Sequence, residues 1–129
     1  MSHRSRLCAL LIDCPEDHII SAVAFWSAAL GRGVVAKAHA SSPYTRLATP
    51  EGPTLDVFLQ ALTSQELRLH FDIETDDVEA EVRRLEELGA HRRRQGASWW
   101  VMEAPSGHIF CVVPVQSDAW PAGAVEWPE

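Results

Sequence analysis

The sequence predicts an α+β protein in which one β-α-β-β-β unit is used twice. Three observations carry this. Two amphipathic helical stretches each end in Leu-Gly, at Leu30-Gly31 and Leu88-Gly89, which stand 58 residues apart. Extended-looking segments follow each helix, and a Pro-x-Gly turn recurs at Pro50-Glu51-Gly52 and Pro105-Ser106-Gly107. An internal repeat constrains a fold more than any single element. A helix following the first strand of each copy, then three strands, predicts mostly antiparallel sheet with a helix on one side of each module.

The elements follow in order. Leu7 to Cys14 is a short apolar strand, closed by Pro15-Glu16-Asp17. Ile19, Val23, Trp26 and Leu30 then recur at offsets of four, seven and eleven, one face of a helix. Gly31 supplies its stop, because glycine adopts the left-handed conformation at a helix end without strain. Val34-Val35, Thr45 to Ala48 and Leu55 to Ala61 complete the first copy, and Thr63-Ser64-Gln65-Glu66 is the joint. The second copy begins with Leu67 to Glu74. Asp76 is the expected N-cap, with Glu79 in the capping-box position. Val78, Val82, Leu85 and Leu88 form the apolar stripe of the second helix, Gly89 ends it, and Glu79 to Glu87 supply its solvated face. Arg92-Arg93-Arg94 reads as a solvated strand start, followed by strands Trp99 to Glu103 and Ile109 to Val115.

A single domain of 1–129 is expected, with module one about 5–62, module two about 66–115 and a Trp-bearing tail at 116–129. The 129 residues, 47% apolar and 22% charged, describe an ordinary globular chain. A net charge of −7 argues against nucleic acid, which selects a basic footprint. No apolar run spans a bilayer, and Asp13 interrupts the stretch after the basic N-terminus, so a cytoplasmic protein with no membrane association is expected. Three cysteines are too few and of the wrong parity for a disulfide framework. Trp120 and Trp127 in the tail are costly to leave wet, so docking on the domain or across a subunit boundary is expected.

Leu11-Ile12-Asp13-Cys14, Ala24-Phe25-Trp26-Ser27-Ala28-Ala29-Leu30-Gly31, Leu69-His70-Phe71-Asp72-Ile73-Glu74, Leu88-Gly89-Ala90 and Pro105-Ser106-Gly107-His108-Ile109-Phe110-Cys111-Val112-Val113 together resemble the vicinal oxygen chelate superfamily, in its glyoxalase-like, bleomycin resistance protein-like branch. The resemblance runs from residue 7 to about 115; Ala104 and His108 replace the usual Asp and Asn around the Pro-x-Gly turn. It implies two βαβββ modules whose mixed, mostly antiparallel sheet curls around a shared cavity, and it implies a homodimer. Metal-dependent members carry four ligands there, and matching gives Ala9, Gln60, His70 and Cys111. Ala9 has no donor, Gln60 offers only a neutral carbonyl, and Cys111 is a soft thiol, so the expectation is a cavity without metal. The alternative is a divalent metal such as Zn, Fe, Mn or Ni held by His70, Gln60 and Cys111.

Strand alternation puts Arg68, His70 and Asp72 on one face and Leu69, Phe71 and Ile73 on the other. The polar set is expected to face the cavity, with Asp72 a candidate to orient the His70 imidazole. Ala9, Leu11 and Asp13 share a face on the first strand, which leaves Cys8 and Cys14 as small buried hydrophobes. The candidate ligand-binding residues are thus Asp13, Asp56, Phe58, Gln60, His70, Asp72, Trp100 and Cys111, with His70 the best catalytic candidate. One of Trp99 and Trp100 faces the helix, the other the cavity or a partner; core packing is the default for both, and stacking on a ligand is the alternative. The expected function is binding of a small cationic or aromatic molecule, since several members of the superfamily sequester antibiotics between two subunits. The alternative is a metal-dependent lyase, isomerase or dioxygenase, and a third reading is a partner domain that uses the tail.

Overall fold

A computed structural model describes residues 2–51, 55–63 and 68–128. Gly52 of the first turn, the joint at Ser64-Gln65-Glu66, and Leu67 lie outside the described residues. The strands are β1 (His3–Pro15), β2 (Val34–Ala36), β3 (Tyr44–Leu47), β4 (Asp56–Leu62), β5 (Arg68–Thr75), β6 (His91–Gln95), β7 (Trp100–Glu103), β8 (Ile109–Pro114) and β9 (Val125–Trp127). Two helices, α1 (Ile19–Leu30) and α2 (Val78–Glu87), follow β1 and β5. The class is α+β: β1–β4 and β5–β8 pair in parallel, and the other described pairings are antiparallel. Among the described residues no helix is long and apolar enough to cross a membrane.

The chain forms two compact units, Ala9–His70 and Met1–Cys8 with Phe71–Glu129. In the Ala9–His70 unit the strand order is β2-β3-β4-β1. Ile12, Leu47, Val57 and Leu59 are buried under Ile19, Ala22, Val23 and Trp26 of α1. Each fully buried leucine there contributes about 1.5–3 kcal/mol of transfer free energy. Gly31 caps α1 at φ 66°, as its position predicts. Leu30 does not join the core as its helical spacing suggested; it is exposed, and Ala22 takes its place in the packed set. The far side of α1 is apolar as well, and Ile20 is 85% exposed.

In the other unit the order is β5-β8-β7-β6, and Val82, Ala90, Met102 and Val112 form the core. Val78, Leu85, Trp100 and Phe110 pack against it. The N-cap of α2 is Asp77, not Asp76: its carboxylate accepts from the Ala80 amide at 3.1 Å. Asp76 is engaged elsewhere, accepting from the Arg4 backbone N–H at 2.8 Å and from the Arg4 guanidinium. The Pro105 turn closes as expected, with Gly107 at φ 89° and its N–H on the Ala104 carbonyl.

β1 starts at His3, four residues before the apolar run, because the tail pairs with that end: Ser5 faces Val125 and His3 faces Trp127 across an antiparallel ladder. Both tail tryptophans dock on the same unit. Trp127 donates from Nε1 to Ser5 Oγ at 2.9 Å and lies under the Arg84 guanidinium, 3.8 Å from its ring centre. Trp120 carries the Arg4 guanidinium at 5.5 Å. Sequence spacing could not reveal this strand, because three residues between Pro/Gly-rich stretches carry no periodicity.

Candidate functional site

The face of the Ala9–His70 unit opposite α1 is built by register. β1 and β4 pair in parallel with Ala9 beside Asp56, Leu11 beside Phe58 and Asp13 beside Gln60. β3 extends the rows, placing Tyr44 beside Gln60 and Arg46 beside Phe58. Since side chains alternate along a strand, these residues share one face while Ile12, Val57, Leu59 and Leu47 serve the core. One row therefore reads Asp13, Gln60, Tyr44, and the next reads Leu11, Phe58, Arg46.

His70 joins the first row. Its Nδ1 lies 3.1 Å from Asp13 Oδ2, with the two side chains 14% and 5% exposed. The carboxylate that stands against the His70 ring is thus that of Asp13, at ion-pair distance. The other Asp13 oxygen, Oδ1, is buried with no hydrogen-bond partner. A buried polar atom left unpaired costs about 1–3 kcal/mol. Gln60 donates from Nε2 to the Tyr44 hydroxyl at 3.4 Å. In the row beyond, beside Ala9, Asp56 is engaged: Thr49 Oγ1 donates to it at 2.7 Å and Arg46 Nη2 stands at 3.8 Å. Phe58 meets Tyr44 edge to face at 6.3 Å and carries the Arg46 guanidinium at 5.9 Å.

On the other side of the sheet, the side that α1 covers, the unit has a cavity of about 530 Å³ with Phe25, Trp26, Ile12 and Leu69 among its apolar walls and Arg68 and Asp13 at its border. Phe25 and Trp26 meet edge to face at 5.1 Å. The sequence placed Leu69 on the helix side, and it lines this cavity together with α1 while remaining 60% exposed. Tyr44, Arg46, Thr49 and the cavity had no sequence signal of their own; only the β3–β4 register reveals them.

The remaining candidates belong to the other unit. Asp72 stands beside Cys111 in the parallel β5–β8 register. Its Oδ2 accepts from Gln116 Nε2 at 3.2 Å, and Cys8 donates from Sγ to the Asp72 carbonyl at 3.5 Å. Cys8 is buried as expected, but among polar groups: Gln116 Nε2 also reaches its sulfur. Trp100 departs from its expected place on a ligand. It packs on the α2 core, beneath the Arg92 guanidinium at 4.8 Å, because the β7–β8 register pairs it with core residue Val112 and pairs Val101 with Cys111.

Burial, followed by the charges of Glu74 and Asp72, pushes the Cys8 thiol from 9.0 up to about 12. Burial, then Asp13, raises Cys14 as well. Only Cys111 is partly exposed. The thiolate is the reactive form, so at pH 8 a maleimide is expected to label one cysteine quickly and two slowly. Mass spectrometry of the labelled peptides should find the fast label on Cys111, and Cys111→Ser should remove the fast phase.

The residues present do not fit a divalent metal. Ala9, fully buried beside Asp56, offers no donor, and His70 has committed Nδ1 to Asp13. Among the described residues no group of three His, Cys, Asp or Glu side chains converges. One imidazole nitrogen and one amide oxygen are too few for the carboxylate- and imidazole-rich sets that open divalent sites use.

The family model described as "Glyoxalase-like domain" matches residues 9–113. Among solved structures, a hypothetical protein, BH1468, from Bacillus halodurans C-125 superposes with a TM-score of 0.65 at 14% identity, covering 89% of this chain and 97% of that one. Methylmalonyl-CoA epimerase from Mycobacterium tuberculosis gives 0.60 at 16%, covering 86% and 88%. A glyoxalase/bleomycin resistance protein/dioxygenase superfamily member from Vibrio splendidus 12B01 gives 0.53 at 16%, covering 86% and 99%. At these identities the likeness is one of fold. No curated protein matches the chain.

Proposed function

The chain belongs to the glyoxalase-like domain family, and from that premise we propose that it binds a small organic molecule against Asp13 without a metal ion. The observation that carries this reading is the buried, unpaired Oδ1 of Asp13. Folding has left a carboxylate oxygen without the donor it requires, beside an imidazole and an amide. A ligand N–H or O–H supplies that donor, and a charge-assisted bond of this kind is the strong sort. On the same face as Asp13, Tyr44 and Phe58, edge to face at 6.3 Å, offer aromatic surface for an aromatic remainder. An amine or hydroxyl group carried on an aromatic body therefore suits the site, in keeping with the net charge of −7.

The test is thermal unfolding with a panel of tryptamine, phenethylamine, benzamidine and 2-hydroxyacetophenone. A ligand at a hundred times its dissociation constant adds about 2.7 kcal/mol, an easily measured shift. Asp13→Asn is expected to weaken the best binder about tenfold, or about 1.4 kcal/mol. A panel without effect, or equal affinity in the variant, overturns the reading.

A further inference from the structure

We propose that the groove between α1 and β2 is a second ligand site, and that it takes an amphiphile with a carboxylate head and an unbranched aliphatic chain. This site is independent of the strand face around Asp13. The groove lies beside α1, on the helix-covered side of the sheet, within the Ala9–His70 unit.

The first observation is a difference between the two helices. α1 and α2 hold the same place in the two copies of the repeat, and each covers a small apolar core. α2 turns Glu79, Arg83, Glu86 and Glu87 to solvent. α1 has no charged residue at all, and its outward positions include Ile20 at 85% exposure. A helix that is apolar all round is one that something covers. The fold itself does not demand such a helix, because α2 covers its own core with a charged outer face.

The second observation is shape. The groove encloses about 470 Å³, inside the range of about 300–1,000 Å³ typical of small-molecule sites. Ile19, Ile20 and Val23 line it from α1, and Val34 lines it from β2. Among the described residues no aromatic ring and no carboxylate lines it. Thr45, almost fully buried, has its hydroxyl engaged, since it accepts from the Ala38 amide at 3.2 Å. Such a lining rewards buried apolar area and makes little polar demand, which suits an alkyl chain better than a polar ring.

The third is charge. Lys37, exposed at this groove, is the single lysine in a chain of net charge −7. Among the described residues it forms no ion pair. Its ammonium is a compact point charge on a flexible stem, so it can meet the head of a chain lying in the groove. The stem itself adds apolar cover. One mobile cation beside an aliphatic channel selects an anionic head on a hydrocarbon tail. The net negative charge disfavours an anionic membrane, and a concave groove fits one chain better than a broad protein face.

Isothermal titration of the full chain with octanoate, decanoate and dodecanoate, each below its micellar concentration, tests this. Affinity should rise about fourfold for each methylene that the groove buries. Lys37→Met should weaken decanoate about three- to fivefold, the upper end for an exposed ion pair, and leave decanol unchanged. Ile20→Asp, at an exposed position that the fold tolerates, should abolish decanoate binding. No binding of any of the three acids, or affinity indifferent to chain length, overturns the proposal. So does a decanoate affinity that falls in Asp13→Asn and not in Lys37→Met, which would put the carboxylate on the strand face. Two further results overturn it by naming another occupant. A dimer in sedimentation that Ile20→Asp dissolves, without decanoate binding, gives the groove to a second copy. Co-sedimentation with phosphatidylglycerol vesicles, without decanoate binding, gives it to a membrane surface.

Discussion

Arg6→Met is expected to lower the unfolding free energy by about 3–5 kcal/mol, the cost of leaving a buried charge without its partner. Glu74 is wholly inaccessible and Arg6 nearly so, with Arg6 Nε 2.8 Å from Glu74 Oε2. That nitrogen is not aligned as a hydrogen bond, so the contact acts through charge. The rest of the Glu74 carboxylate is fully used: the Gln116 and Ser117 amides both donate to Oε1 at 2.8 Å, and the Ser117 hydroxyl donates to Oε2. Arg6 also donates to the Ala122 carbonyl, so one guanidinium ties β1 to the start and the middle of the tail. Removing the cation leaves an anion that cannot find water. The second variant decides the cause: Arg6→Met with Glu74→Gln should recover much of the loss, because the uncompensated charge is gone. Urea unfolding of the four proteins measures both effects. A single-variant cost below about 1 kcal/mol would place the pair with ordinary surface ion pairs instead.

The parts of this protein that were legible in the sequence are those governed by local chemistry. Gly31 ends α1 because only a residue tolerant of positive φ fits there, and the residue could be named from its position. The Ile19, Val23 and Trp26 stripe was visible because helical spacing shows in the sequence itself. Alternation placed Asp56, Phe58 and Gln60 on one face, since the side-chain period of a strand is fixed. What stayed hidden depends on partners distant in sequence. Asp77 rather than Asp76 caps α2 because Arg4, on β1, has claimed Asp76. Asp13, on another strand, stands at ion-pair distance from His70, which the sequence of β5 alone could not show. Trp100 rather than Trp99 faces α2 because the β7–β8 register decides it, and register has no local signature. The binding row is half of each kind: its residues could be nominated one by one, but their pairing required the strand order.

Lowering the pH is expected to weaken the unit formed by Met1–Cys8 and Phe71–Glu129, and Glu81 is the residue through which much of that loss should run. Glu81 sits on α2 with no exposed side-chain surface. Burial alone would push its carboxyl up, but hydrogen bonds from Arg84, His3 and Ser5, with the charge of Arg84, outweigh it and hold the group below its ordinary 4.5. The bonds are close: Arg84 Nε at 2.8 Å, Arg84 Nη2 at 2.9 Å, His3 Nε2 at 2.8 Å. Asp76 moves the same way, its burial likewise outweighed by bonds from Arg4. A carboxyl lowered in the folded state binds protons less readily than in the unfolded chain. Its stabilisation is therefore present above the unfolded value of 4.5 and lost as pH falls through the folded one. Glu81→Gln should cost about 1.5–3 kcal/mol at pH 7, the range for hydrogen bonds to charged groups. That gap should begin to close as the pH drops below 4.5, where the unfolded carboxyl takes up protons, and vanish only below the lower folded value, where the wild-type carboxyl is protonated in both states. Urea unfolding of both proteins from pH 7 to pH 3.5 provides the comparison. A gap that stays constant across that range would mean that Glu81 stabilises the unit by shape and neutral hydrogen bonding, and that its charge contributes nothing. The same residue links the tail to the rest of its unit: Arg84, bonded to Glu81, also covers Trp127. Protonating Glu81 loosens that guanidinium, so tail release, read by Trp fluorescence, should track the same pH window as the loss of stability.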